Sequence, residues 1–405
     1  MNKYIFLVFL YVNTVNSFAQ IKILFDATKA ETANNADWII DADQHNLGYD
    51  PNPYIGGRES YAQRFPTPDQ SGITASTSQD YWEGGISAWG VDAVRLGYIV
   101  ETLPYTAQIT YANVNNDQDL SNYDVFVVCE PNILFTADEK AAMINFVQNG
   151  GGLFMISDHD NSDRNGDGVD SVEIWNEFMQ DNPVQIDPFG ISFDYDSFNA
   201  DTSNMANLPA DPLLHGSYGD VTNVEFYSGT SMTLNINSNS SIKGVVYNSG
   251  SSNTGNTGVL CAYATYGNGK IVALGDSSPV DDGTGDPHDR LYDGWIEDAD
   301  GNHERLIMNA TVWLASHDSN VVNQSEIASK YQVNFSLNQV NIQGEGIESL
   351  KLIVSNLLGQ EMLVKNLRLG KFEEIHLQAD NLYIYQLIKD DGLLKTGKFV
   401  LDSAR

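Results

Sequence analysis

Residues 157–170 read Ser157-Asp158-His159-Asp160-Asn161-Ser162-Asp163-Arg164-Asn165-Gly166-Asp167-Gly168-Val169-Asp170, a density of oxygen-bearing side chains suited to holding a cation or moving a proton. Asp163, Asn165 and Asp167 alternate ahead of Gly168, with Asp170 following, as in the first half of a calcium loop whose hard oxygen ligands wrap one ion. The acid that should close such a loop is displaced, because Ile174 stands at the closing position and Glu173 one residue early. The same spacing also suits a solvated turn rich in Asx residues. Asp158 and His159 are candidates for catalysis, since a neighbouring carboxylate orients an imidazole and raises its basicity, as a general base or a metal ligand requires. A histidine bonded only to a loop carbonyl is the alternative.

A second acidic loop, Gly275 to Arg290, carries Asp276, Asp281, Asp282, Asp286, His288 and Asp289, and Asp26 ends the first apolar run of the mature chain. These three segments are expected to meet at one rim, with His159 or His288 as base; independent surface turns are the alternative. The segment Ala27–Glu83 is long for a connection in a compact domain, and such connections are usually functional. It holds Tyr54, Tyr61, Tyr81 and Trp82, with Trp89 just beyond, all able to stack on a pyranose face, and Tyr61 is a candidate acid. Arg58 and Arg64 are two of only 12 basic residues among the first 324, so they are expected to meet an anionic group. The same aromatics could instead fold back as a lid over the core.

The elements that must position these residues begin after a secretory leader. Lys3, the apolar run Tyr4–Val12 and Ser17-Phe18-Ala19 read as a signal peptide over residues 1–19, too short to anchor the chain in a membrane. No later apolar run reaches the ~20 residues of a spanning helix. Ile21–Asp26 reads as a strand, Ser87–Leu96 as a helix closed by Gly97, Asp124–Cys129 as a buried strand, and Thr136–Glu139 as a capping box opening the helix Lys140–Gln148. Gly150-Gly151-Gly152 then feeds the strand Leu153–Ile156. This strand–helix–strand grammar predicts an α/β fold over residues 20–318, an open, mainly parallel sheet with helices on both faces. Val259–Tyr266 and Lys270–Leu274 flank Gly267-Asn268-Gly269 as a hairpin, and the helix Glu304–Ala315 closes the domain. Cys129 and Cys261 lie in apolar runs and read as two buried thiols. Residues 319–330 read as a linker, and 331–405, with apolar alternation such as Val333/Phe335/Leu337 and Tyr383/Tyr385/Leu387, as a small β-sandwich of five to seven strands.

Two resemblances sharpen this. Val354-Ser355-Asn356-Leu357-Leu358-Gly359-Gln360, Leu382–Tyr385 and Lys395–Val400 resemble the C-terminal sorting domain of the type IX secretion system, which implies export across the outer membrane through that machinery. The acidic end of the first strand, Tyr123–Glu130, the helix into Gly150–Ile156 and the closing Gly267–Gly275 hairpin plus helix resemble the class I glutamine-amidotransferase-like superfamily. That family places a nucleophilic Cys on the turn after the strand matching Leu153–Ile156. Here the turn reads Ser157-Asp158-His159, so the resemblance implies the fold without glutamine hydrolysis.

Charge narrows the chemistry. The net charge is -33, and residues 1–324 carry 44 acids against 12 bases, so the acidity belongs to the α/β part. Nucleic acid is excluded as a partner, because phosphate binding needs Lys and Arg to displace counterions. A field of this sign concentrates divalent cations, calcium first among them here. The expected activity is a secreted carbohydrate-active enzyme acting on an extracellular, uronate-containing polysaccharide or oligosaccharide by metal-assisted elimination, as a lyase or dehydratase. The alternatives are a metal-dependent hydrolase of extracellular polymer and a calcium-dependent glycan-binding protein. An acidic protein holds a uronate only where a cation or arginines offset the repulsion.

Overall fold

The computed structural model describes residues 20–33, 36–40, 69–284 and 292–316 of the α/β unit, and 332–336, 339–343, 349–355, 361–368, 371–377, 382–389 and 392–400 of the C-terminal unit. The leader, the linker, and the candidate residues Arg58, Tyr61, Arg64 and His288 lie outside the described residues. The chain divides into two compact units near residue 318.

The first unit runs β1 (Lys22–Asp26), α1 (Ser87–Arg95), β2 (Ile99–Leu103), β3 (Val125–Cys129), α2 (Ala137–Gln148), β4 (Gly152–Ile156), α3 (Ser171–Gln180), β5 (Ile191–Phe193) and β6 (Phe198–Thr202). It continues through the short pair β7 (His215–Gly216) and β8 (Gly219–Asp220), then β9 (Val224–Gly229), β10 (Met232–Leu234), β11 (Lys243–Tyr247), β12 (Val259–Tyr266), β13 (Gly269–Leu274), α4 (Gly294–Glu297) and α5 (Asn302–Ala315). One nine-stranded mixed sheet forms the centre. Its parallel part is ordered β2-β1-β3-β4-β13, and β12, β10, β5 and β11 extend it antiparallel. β13 returns beside β4 and so joins the parallel part, while its hairpin partner β12 begins the antiparallel extension. β6 and β9 pair apart from this sheet.

Register explains the packing. Phe25, Val127, Phe154 and Val272 stand in one row across four strands. Trp89 of α1 meets Phe25 and Phe154 edge-on at 5.2 and 5.1 Å, and its indole donates to Thr311 of α5 at 2.9 Å. Gly152 opens β4 where a Cβ would stand 2.8 Å from Leu314 of α5, so glycine is needed for that approach. The Thr136–Glu139 capping box forms as its sequence predicts. Trp82 and Trp89 are both buried, Trp82 with 1% of its surface exposed. Trp82 therefore fills the core and presents no face to a sugar, which corrects its reading as a substrate platform.

In the C-terminal unit, β14 (Gln332–Ser336), β15 (Gln339–Gln343) and β18 (Phe372–Glu374) form one antiparallel sheet. β16 (Ser349–Ser355), β17 (Glu361–Arg368), β19 (Leu382–Lys389) and β20 (Gly392–Val400) form another. Val340 and Ile342 of the first share an apolar cluster with Leu352, Val354, Tyr383 and Leu387 of the second.

Candidate functional site

In an open sheet of order 2-1-3-4-5 the ligand site lies beyond the carboxyl ends of the strands. Here β3, β4 and β13 end in Glu130, Ser157-Asp158 and Gly275-Asp276, so three buried carboxyls follow three adjacent strands. Glu130 adopts a left-handed backbone (φ 47°) while its N–H still donates to Ile156 at 3.0 Å. A non-glycine residue held there is strained, as residues at functional sites often are.

Arg164 ties two of the acids together. Its Nε donates to Glu130 Oε1 and its Nη2 to Asp158 Oδ2, both at 2.6 Å, while its backbone N–H donates to Asn132 at 2.8 Å. The Trp38 indole donates to the second Glu130 oxygen at 2.5 Å. Burial pushes the Glu130 carboxyl up, with the guanidinium opposing that rise. Burial, then the charge of Asp276, raises Asp158 to about 6. Burial alone would lower the Arg164 guanidinium, but the Glu130 and Asp158 charges outweigh it and hold Arg164 charged.

Two further acids fix the aromatic wall. Asp276, raised by burial to about 7, accepts the Tyr227 N–H at 2.7 Å. Asp281, raised by burial to about 8, accepts the Tyr292 N–H at 2.7 Å and the Gly283 N–H at 2.9 Å. The Tyr227 and Tyr292 rings stack with centroids 5.0 Å apart and 6° between planes, and Tyr227 is 56% exposed. Gly229, at the end of β9, lets this strand cross Asp276, whose Cβ would lie 2.7 Å from an added side chain.

His159 Nδ1 lies 2.7 Å from the Asp160 carbonyl. A carbonyl only accepts, so Nδ1 carries the hydrogen and Nε2 of the neutral ring holds a lone pair. Asp158, His159, Arg164, Tyr227, Ser277, Ser278, Asp281 and Tyr292, with Trp38 and Ser228, line a cavity of about 150 Å³. That is below the usual ~300–1,000 Å³ of a small-molecule pocket, so it accommodates one ring or less. The arrangement provides a base, carboxyls on either side of neutrality and an aromatic face.

Of the sequence candidates, Asp158 and His159 meet here. Asp26 does not line the cavity: its carboxyl is buried beside Thr28, Lys29 and Glu31, and burial raises it to about 6. Asp163 accepts N–H groups from Gly166, Asp167 and Gly168; Asn165 accepts from Asp167, and Asp167 from Val169. Asp170 is the N-cap of α3, accepting from Glu173 at 2.9 Å, and it also accepts from Asn161. These four residues thus shape a turn and start a helix. Among the described residues, no three His, Cys, Asp or Glu side chains come together to hold a metal. Cys129 and Cys261 are free and buried, and burial raises both thiols, which suits packing and not nucleophilic attack.

Sequence reasoning missed Glu130, Arg164, Tyr227 and Tyr292. Glu130 had one visible signal, an acid directly after five buried apolar residues. The tyrosines had none, being 65 residues apart in irregular sequence and joined only by the fold.

No family model and no curated protein matches the chain. Among solved structures, it is similar to the mmIFT52 N-terminal domain at 12% identity, with 58% of this chain and 93% of that one covered and a TM-score of 0.39. It is also similar to a cytoplasmic protein from Salmonella typhimurium at 14% identity, with 73% and 98% covered and a TM-score of 0.36. A third likeness is to Gan42B, a GH42 beta-galactosidase from G. stearothermophilus, at 14% identity, where 88% of this chain but 39% of that one is covered and the TM-score is 0.31. At these scores the likenesses carry no argument about fold or activity, and the geometry of the cavity carries the functional reading.

Proposed function

We propose that the chain is a secreted carbohydrate-active enzyme that performs acid–base elimination, of lyase or dehydratase type, on an extracellular polysaccharide or its oligosaccharides. One observation carries this reading: a histidine with a fixed lone-pair nitrogen shares a tyrosine-walled cavity with a carboxyl that is neutral at pH 7. His159 Nε2 takes the proton from the carbon next to the uronate carboxylate. The C–H electron pair becomes a carbon–carbon double bond, the bond to the neighbouring oxygen breaks, and Asp281 delivers its proton to that oxygen. Asp158 and Asp276 hold the surrounding charge and the wall. Arg164 is committed to Glu130 and Asp158, so the uronate carboxylate relies on Arg58 and Arg64 of the early segment.

A second reading, hydrolysis, is favoured by the spread between Asp158 at about 6 and Asp281 at about 8, which supplies a carboxylate and a carboxylic acid at neutral pH. Incubating the protein with uronate oligosaccharides and following the ultraviolet absorbance of the unsaturated product separates the two. Elimination gives absorbance that His159→Ala abolishes at unchanged melting temperature. New reducing ends without absorbance mean hydrolysis. Binding with neither product leaves a glycan-binding protein.

Export belongs to the same proposal, with the leader removed and the C-terminal strands acting as a β-sandwich sorting domain. A divalent cation, calcium first, is proposed for the Asp163–Asp170 turn. A carboxylate oxygen that accepts one N–H keeps a second lone pair, so the bonds that shape the turn leave oxygens for an ion. Its role is to stiffen the turn, and no chemical step runs through it.

A further inference from the structure

We infer that the binding groove continues past Tyr292 into a second subsite, so that the substrate is at least two sugar rings long and its second ring carries no carboxylate. This rests on the carbohydrate reading above and deepens it. A separate cavity of about 310 Å³ is lined by Asn223, Glu225, Tyr292, Asp293, Gly294, Glu297, Asp298, Asp300 and His303 among others. Tyr292 also lines the His159 cavity, so one side chain is a wall of both. β9 contributes to both as well: Glu225 faces the second cavity and Tyr227 the first, and these alternate residues share the exposed side of the strand. Two shared elements and a stacked tyrosine pair thus lie where the two cavities adjoin.

The size and charge of the second compartment define its occupant. At about twice the volume of the first, it has room for a whole ring where the first holds the reacting part of one. His303 anchors its floor, with Nδ1 2.7 Å from the Gly294 carbonyl and Nε2 accepting the Glu225 N–H at 2.9 Å. Glu225, Asp293, Glu297, Asp298 and Asp300 face the space, and no Lys or Arg is among its described lining. A carboxylate entering there meets only like charge, whereas a neutral or amine-bearing ring does not. The acids here set what is excluded; the adjacency at Tyr292 is what makes the compartment a subsite.

The test is calorimetric binding to full-length His159→Ala protein, which holds substrate without turnover. The probes are β-linked disaccharides whose first ring is glucuronate and whose second is glucose, glucosamine or glucuronate, with the first-ring monosaccharide alone. The expected result is that the disaccharides with a neutral or amine second ring bind at least about tenfold tighter than the monosaccharide, and that glucuronate at the second ring weakens binding by about three- to tenfold. Glu225→Gln with Glu297→Gln, both exposed positions, should close most of that gap. Equal affinity for one and two rings, or a gap untouched by the double substitution, overturns the subsite while turnover by the unmodified protein still upholds the enzyme. Length-dependent binding without turnover by that protein upholds the subsite and sinks the enzyme. No binding by any probe overturns both.

Discussion

Removing the charge of Arg164 is the most demanding test of how the cavity is built. Arg164→Met keeps the length of the stem and strips the guanidinium from two acids that lie almost wholly inside the protein, Glu130 at 0% and Asp158 at 4% side-chain exposure. Breaking a buried pair by deleting one partner costs about 3–5 kcal/mol, and the low end applies because Arg164 itself keeps 20% exposure. For a unit of this size about 3 kcal/mol lowers the melting temperature by roughly 6–12 °C. The loss depends on pH. Without the guanidinium both folded-state pKa values rise further above their unfolded values, so the folded chain retains protons that the unfolded chain has released. Stability then falls as pH climbs from the ordinary carboxyl range, about 4, through the raised folded values. The deficit against the unaltered protein should be small near about pH 5, open above about pH 6, where the unaltered Asp158 ionises in the fold and the variant's does not, and still be growing at about pH 9. Calorimetric melting at the two ends of that range reads it directly. An equal deficit at both, or one below about 2 °C at the high end, refutes the claim that Arg164 neutralises the pair.

Further outcomes follow from single residues. Activity should fall as pH rises through about 8, where Asp281 loses the proton it donates, and Asp281→Asn should abolish turnover, its one oxygen keeping only one of the Tyr292 and Gly283 N–H bonds. Asp282 accepts the Ala88 N–H at 2.7 Å in the first turn of α1, so Asp282→Ala should cost about 1 kcal/mol, as loss of a helix cap does. Asp282 accepts the Ala88 N–H on one oxygen and the Thr284 N–H and hydroxyl on the other, so Asp282→Asn turns an NH2 toward one of these donors and should also destabilise; because burial raises Asp282 to about 7, that cost should be smaller above about pH 7 than near pH 4 in urea denaturation. Calcium should raise the melting temperature and chelator lower it; no difference removes the ion from the Asp163–Asp170 turn.

The parts of the fold that were legible in the sequence are those governed by local rules. The capping box at Thr136, the glycine turn before β4 and the hairpin around Gly267-Asn268-Gly269 each pair a conformational need with residues adjacent in sequence. α3 was overlooked because its opening residues also fit a metal loop, although Val172, Ile174, Trp175, Phe178 and Met179 trace the helical face that it buries. In the site, Asp158 and His159 were legible as strand-end residues. Arg164 was hidden among oxygen ligands, and its value comes from Glu130, which is 34 residues away and reached only through the sheet. Trp82 misled because aromatic type says nothing of burial.

The tie between residues 282–284 and the start of α1 also bears on how the chain is made. α1 has no side-chain cap of its own. The Ala88 N–H waits for Asp282, the Gly84 N–H for Thr284, and the Gly85 carbonyl for the Asp282 N–H, each about 200 residues later in synthesis. β4 likewise lacks its parallel neighbour β13 until residue 274 has been made. Such late, distant closures slow folding, because the loop must be ordered before any contact rewards it. A chain emerging from the ribosome therefore cannot complete these contacts until nearly the whole α/β unit exists, and the structure locks only after its last segments have arrived.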